Sequence, residues 1–223
     1  MDLNKGHRDR LRQRFMIDFG ESMPDYEILE LLLMNCIARC DVKPIAKRLL
    51  TEFGSISAVF GADVKLLQSV QGVGEQTAVM IKVIQRSTHL VIKKEIHNTN
   101  ILNSWDKLIE YCYVYMAHSP IEQFRVVYLN SRNRVIRDEE QTRGTVNETS
   151  IYPREVIKRA LDLNATAIIL VHNHPSGDTT PSKADIRMTH EVIEAGLAMK
   201  VKVHDHVIIT KEGYASLKNM GLI

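Results

Sequence analysis

Between residues 170 and 190 the chain reads LVHNHPSGDTTPSKADIRMTH. His172 and His174 stand two residues apart where an apolar run ends. If that run is a strand, side-chain alternation puts both imidazoles on one side. Pro175 stops the strand and SGDTT forms a loop, in which Asp178 reads as a turn residue. Ser182, followed three residues later by Asp185, then opens a helix as a capping box. The cap does not exclude chemistry, because an aspartate in a first helical turn is held rigidly and can face back toward the strand end. Two imidazoles and a carboxylate on two rigid elements make a zinc site with three protein ligands and one open position. Zinc there would bring the pKa of a bound water to about 7 and so generate hydroxide. H-x-H, seven residues, then S-x-x-D arises by chance in roughly one such chain in a thousand. A lone H-x-H carries far less. His204 and His206 in VHDHVII read as strand residues pointing one way, structural or supporting the site from behind, with Asp205 on the opposite face.

The surrounding pattern supplies the elements. SWDKLIEYCYVYMA reads as a helix capped by Ser104, QFRVVYLN as a strand, and SRNRVIRDEEQT as a hairpin continuing the sheet. YPREVIKRALDLN is a helix with Pro153 in its first turn, ATAIILVHNH a buried strand, SKADIRMTHEVIEAG a helix and KVKVHDHVIIT a strand. Helix and strand alternate, as in an α/β layer domain. Its predicted extent is 100–223.

Upstream, residues 1–94 carry helical periodicity almost throughout, and the polar stretch around 93–103 predicts the boundary. YEILELLLMNCIARC places Ile28, Leu31, Leu32 and Cys36 on one helical face. KPIAKRLLTEFG stops at Gly54, and SISAVFGADVKLLQSV supplies two short turns of helix. In VQGVGEQTAVMIKV, Gly72 and Gly74 bracket Val73 between two helices. That spacing suits a tight turn with positive φ and close backbone approach. Two readings stay open: a plain helix–helix turn, or a phosphate held by the exposed amides of the following helix. Gly72, Val73 and Gly74 are therefore candidate nucleic-acid contacts, to backbone rather than to bases. Lys5, Arg8, Arg10, Arg12 and Arg14 near the start read equally as a phosphate-binding arm or a solvated helix face.

Composition sets few limits. A net charge of +2 predicts neither a nucleic acid nor an acidic partner, and the 223 residues suffice for one or two cores. No apolar run approaches a membrane span, and no signal-peptide pattern follows the basic start. Three cysteines, Cys36, Cys40 and Cys112, argue against a disulfide framework. They are expected to be reduced core thiols in a cytoplasmic protein.

The H-x-H…S-x-x-D pattern is the JAMM signature of the MPN/JAB metalloprotease fold, and the similarity extends further. GHRDRLRQRF, PDYEILELLL, RCDVKPIAKRLL, VQGVGEQTA, YPREVIKRAL and HNHPSGDTTPSKADI together resemble the RadC family over nearly the whole chain. The resemblance implies an all-helical, helix-hairpin-helix-like domain followed by an MPN/JAB (JAMM, cytidine-deaminase-like) α/β layer domain. It implies His172, His174 and Asp185 as zinc ligands. It also implies an upstream glutamate before a strand that follows a helix, which here is Glu122 in SPIEQFRVVYLN. Glu122 would take a proton from the zinc-bound water and deliver it to the departing amine. Asp138, Glu139 and Glu140 are its rivals in sequence. Ser182 would donate to the developing oxyanion, provided that its cap bond leaves the hydroxyl free or lets it switch.

The expected activity is zinc-dependent cleavage of peptide or isopeptide bonds in a peptide or protein substrate, with weak DNA contact by the helical half. The alternative is a DNA-binding, repair-associated protein whose JAMM site is vestigial, although the ligand set is intact. A zinc deaminase would need H-x-E and C-x-x-C, and the chain has no C-x-x-C. A nuclease fits poorly, because phosphodiester cleavage often uses two metals.

Overall fold

The computed structural model describes residues 6–38, 40–97, 99–143 and 151–223. The chain divides into two compact units between Thr88 and His89, inside one long helix. No helix among the described residues is long and apolar enough to cross a membrane.

The first unit is all helical: α1 (His7–Asp18), α2 (Asp25–Cys36), α3 (Lys43–Phe53), α4 (Ile56–Gly61), α5 (Val64–Ser69) and the start of α6 (Glu75–Ile96). Local chemistry sets the boundaries. Gly54 ends α3 with φ of 85°, Ser55 caps α4 through the Ala58 N–H, and Asp63 caps α5 through the Lys65 N–H. The core gathers Leu29, Leu33, Leu49, Val59, Leu67 and Ile81. The expected face of α2 needs correcting. Leu29, Leu33 and Met34 are its buried apolar residues, while Ile28, Leu31 and Leu32 are partly buried and Cys36 is half-exposed. An apolar run this dense buries more than one stripe, so periodicity alone misplaces the innermost line. Cys40 lies beyond the end of α2 and is exposed, so Cys112 alone of the three thiols is fully buried.

The basic start is largely engaged within this unit. Arg8 donates to the carbonyls of Met34, Ile37 and Cys40 at 3.2, 2.9 and 3.0 Å, closing the C-terminal end of α2. Arg12 pairs with Asp9 and Arg14 with Glu27, whereas Lys5 lies outside the described residues.

The second unit adds α7 (Trp105–Met116), β1 (Gln123–Leu129), β2 (Val135–Arg143), α8 (Pro153–Asp162), β3 (Ala167–Asn173), α9 (Lys183–Ala198), β4 (Lys202–Thr210) and β5 (Gly213–Ser216). The sheet runs β2-β1-β3-β4-β5. β1 is antiparallel to β2 and β3, β3 and β4 are parallel, and β5 returns antiparallel to β4. Strand alternation sorts two cores. Val127, Ile169, Val171, Val207 and Ile209 meet Leu108, Tyr111 and Met116 of α7 on one face. Phe124, Val126, Tyr128, Ile168 and Leu170 meet Val156 and Ala160 of α8 and Val192 of α9 on the other. Ser104 sits at the N-cap of α7, but its side chain makes no capping bond there. β5 is too short to show a period and was not legible as a strand.

β3 is central, buried throughout, and continues through α9 into its parallel neighbour β4. Its C-terminal end therefore meets the N-terminus of α9, the crevice where open α/β sheets bind ligands. The antiparallel partner β1 begins at the same end, with Phe124 paired to His172. Extending that register by two residues sets Glu122 opposite His174.

Candidate metal centre

Three elements converge here. His172 lies next to the end of β3 and is buried, and His174 follows the strand half-buried. Their Nε2 atoms lie 2.8 Å apart. Asp185 reaches back from the first turn of α9, with Oδ1 3.5 Å from Nε2 of His172 and Oδ2 3.7 Å from Nε2 of His174. One ligand atom from each of Glu122, His172, His174 and Asp185 falls in a group whose members all lie within 4.8 Å of one another, a set that could hold a metal ion. The four sequence-predicted carboxylate and imidazole residues are thus brought together.

Asp185 is fixed by the capping box. Its N–H donates to Ser182 Oγ at 3.1 Å, and its Oδ2 accepts the Ser182 N–H at 2.7 Å. The serine's oxygen is the acceptor in that bond, so its own hydroxyl proton remains available to a further partner. Ser182 is exposed, and no switching is needed for it to cap the helix and donate outward. Burial works against the Asp185 charge, but the imidazoles of His172 and His174 beside it outweigh burial and hold the carboxyl well below the ordinary carboxylate range. The Asp185 carboxylate beside it is also the main reason why the His174 pKa is raised, with burial opposing it.

The loop between strand and helix fixes the second imidazole. His174 Nδ1 lies 2.7 Å from the backbone carbonyl of Asp178. A carbonyl only accepts, so Nδ1 carries a proton and Nε2 presents a lone pair to the cluster. Asp178 is the expected turn residue, its Oδ1 accepting the Thr180 N–H at 2.8 Å. Gly177 is buried at φ of 90°, a backbone conformation that favours glycine.

The rivals of Glu122 are occupied elsewhere. Asp138 is buried and takes two bonds from Arg125, at 3.0 and 2.6 Å, and one from the Tyr111 hydroxyl. Glu139 is bound by Arg159 and Arg137, and Glu140 by Arg125.

Two residues given no sharp role from sequence support the centre. His206 is fully buried, with Nε2 2.8 Å from Nδ1 of His172. His204 does not accompany it: a register shift between Val203 and Asp205 breaks the alternation, and the His204 ring meets Asn133 at 2.8 Å instead. Asp205 accepts from the Ser216 hydroxyl and the Lys218 N–H at 2.5 and 3.1 Å. Asn173, between the two site histidines, is fully buried and bonds to the segment carrying Glu122.

The hairpin lies in the first unit and is described on its own. Gly72 has φ of 97°, and a Cβ there would come within 2.8 Å of Ile45. Val73 is buried. Gly74 shows neither a positive φ nor a close neighbour, so the conformational demand expected of both glycines falls on Gly72. Gly74 precedes α6, its carbonyl accepting the Ala78 N–H at 3.0 Å. Arg48 donates twice to the Gln71 carbonyl.

Residues 102–222 match the RadC family, described as a RadC-like JAB domain. The chain belongs to the RadC family. The match spans more than half of the 223 residues and contains every member of the metal cluster. The mixed sheet between helical layers is an MPN/JAB-like fold, and the RadC domain is preceded by an all-helical region consistent with helix-hairpin-helix-like helices.

Proposed function

We propose that this RadC-family protein is a zinc-dependent hydrolase of peptide or isopeptide bonds. The observation that carries the reading is the convergence of two imidazole Nε2 atoms 2.8 Å apart with the carboxylates of Asp185 and Glu122. Lone pairs on two neutral imidazoles repel at that distance unless a cation or a proton joins them. The donor set, two nitrogens and carboxylate oxygen, suits zinc.

The metal would be held by Nε2 of His172, Nε2 of His174 and the carboxylate of Asp185; when bound, it would acidify a water and polarise the bond to be cut. Glu122, half-exposed opposite His174, receives the proton of the attacking water and returns it to the departing amine. A positioned acid–base group contributes about 10²–10⁴-fold. Ser182 donates its spare hydroxyl proton to the oxygen that gains charge, a contribution of about 10²–10³-fold where measured in other hydrolases. Asp138, Glu139 and Glu140, held by arginines, take no part. Three free thiols support a reducing, cytoplasmic setting.

A screen of peptide and isopeptide libraries with wild type and Glu122→Gln tests this reading. Cleavage by the wild type and its loss in a Glu122→Gln protein of equal zinc content are expected. Full activity of Glu122→Gln would contradict the assigned base, and a wild type that holds zinc but cleaves nothing would favour a vestigial site.

A further inference from the structure

His172 can serve as a metal ligand through Nε2 only if its proton sits on Nδ1, and the residues behind it dictate that choice. The backbone carbonyl of Asp185 can only accept. Thr189, one turn further along α9, donates its single hydroxyl proton to that carbonyl at 2.5 Å. The same oxygen lies 2.6 Å from Nδ1 of His206. With its proton committed, Thr189 Oγ1 can only accept there, so Nδ1 of His206 is the donor. His206 is fully buried, and neither ring nitrogen has a carboxylate as its hydrogen-bond partner. A second ring proton would be an unpaired buried charge. Its Nε2 is therefore a bare acceptor, and Nδ1 of His172, 2.8 Å away, must supply the proton.

We propose that Thr189 and His206 are positioning residues that hold His172 as its Nδ1–H tautomer and leave Nε2 free to bind metal. The order runs from the Asp185 carbonyl through the Thr189 hydroxyl and the His206 ring to His172, so the helix that supplies the carboxylate ligand also sets the tautomer of an imidazole ligand. His174 is set independently, by the Asp178 carbonyl. The proposal rests on the zinc reading above for its consequence, but the tautomer itself is a property of the metal-free chain.

Two measurements on the purified full-length protein test it. In metal-free wild type, ¹⁵N-detected histidine NMR should show a proton on Nδ1 of His172 and on Nδ1 of His206, with Nε2 of His206 bare. Zinc affinity, measured by competition with a chromophoric chelator, should fall about 10–100-fold in Thr189→Val, the usual effect of losing a partner behind a metal ligand. Thr189→Ser, which keeps the hydroxyl, should stay within about threefold of wild type, as a role in packing alone would not require. His172 protonated at Nε2 in wild type would overturn the proposal even if no variant folds. Unchanged zinc affinity in a folded Thr189→Val would overturn it as well. A wild type that binds no zinc would instead sink the reading of the site, and the NMR result would still decide the tautomer.

Discussion

The side-chain oxygen of Asn173 accepts the backbone N–H of Gln123 at 2.8 Å, across the antiparallel pair β3 and β1. Its amide group donates to the Ile121 carbonyl at 3.2 Å and, more weakly, to that of Ser119 at 3.4 Å. The backbone is thereby held on both sides of Glu122. Strand alternation explains the division of labour, since His172 faces the metal cluster and Asn173 faces the opposite layer.

This clamp predicts a separation of zinc binding from turnover. Asn173→Asp keeps the shape but cannot donate, so the Ser119 and Ile121 carbonyls lose its amide and face a buried charge. Zinc content should remain at the wild-type level, because His172, His174 and Asp185 are untouched. Turnover of a substrate from the cleavage screen should fall about a hundredfold, the scale of a 1 Å misplacement. In a Glu122→Gln background the same change should add little, because interacting residues are non-additive. A full additional loss would show that Asn173 acts by another route.

Asp185 serves both the helix and the cluster, and these uses can be separated. Asp185→Ala removes the carboxylate that accepts the Ser182 N–H, but Ser182 Oγ still accepts from the backbone N–H of residue 185. The helix should lose about 1 kcal/mol at most, whereas the site loses its carboxylate ligand. The expected outcome is a cooperative thermal melt close to that of metal-free wild type, with no stoichiometric zinc. Loss of the folded transition would mean that the cap dominates.

Much of the site was legible because rigid elements translate spacing directly into geometry. A strand end places His172 and His174 on one side, and a capping box fixes Asp185; both rules are local. Glu122 was reached only by resemblance, because its place depends on β1 pairing with a strand some fifty residues away. Asn173 and Thr189 were not assigned roles, and His206 was read only as structural or supporting, for a related reason. Each acts through a hydrogen bond to a neighbouring element, which no periodicity encodes. The His204–His206 pair misled because a register shift intervenes, and α2 misled because a helix apolar over much of its surface has no single stripe to find.

Protonation should destabilise the metal-free protein. His97, His118, His204 and His206 all have pKa values below the ordinary 6.5, burial being the largest cause for each. As pH falls through 6.5, the unfolded chain takes up protons that the folded chain refuses, so stability falls. His174 is raised, so its contribution is complete below 6.5 and is lost as pH rises through its folded value. Four groups against one predict a lower melting temperature at about pH 5.5 than at about pH 7 after chelator treatment. A melting temperature that rises on acidification would contradict this assignment.

Packing alone accounts for Gly72 and Val73, and Glu75 in the first turn of α6 places a negative charge where a phosphate would sit. A phosphate-gripping role for Gly72, Val73 and Gly74 therefore predicts weak duplex binding by the full chain, without sequence preference and falling steeply with salt. Glu75→Gln should tighten it. Fluorescence anisotropy with a labelled duplex at low and high salt checks both effects, and no salt-sensitive signal would assign the hairpin to packing.

Metal stoichiometry by mass spectrometry of the purified protein tests the central claim most directly. The account predicts about one zinc per chain in wild type and none retained by the His172→Ala/His174→Ala double variant, since that variant keeps only one of the three protein ligands. Equal zinc in the two proteins, or none in a wild type purified without chelator and challenged with zinc, would contradict it.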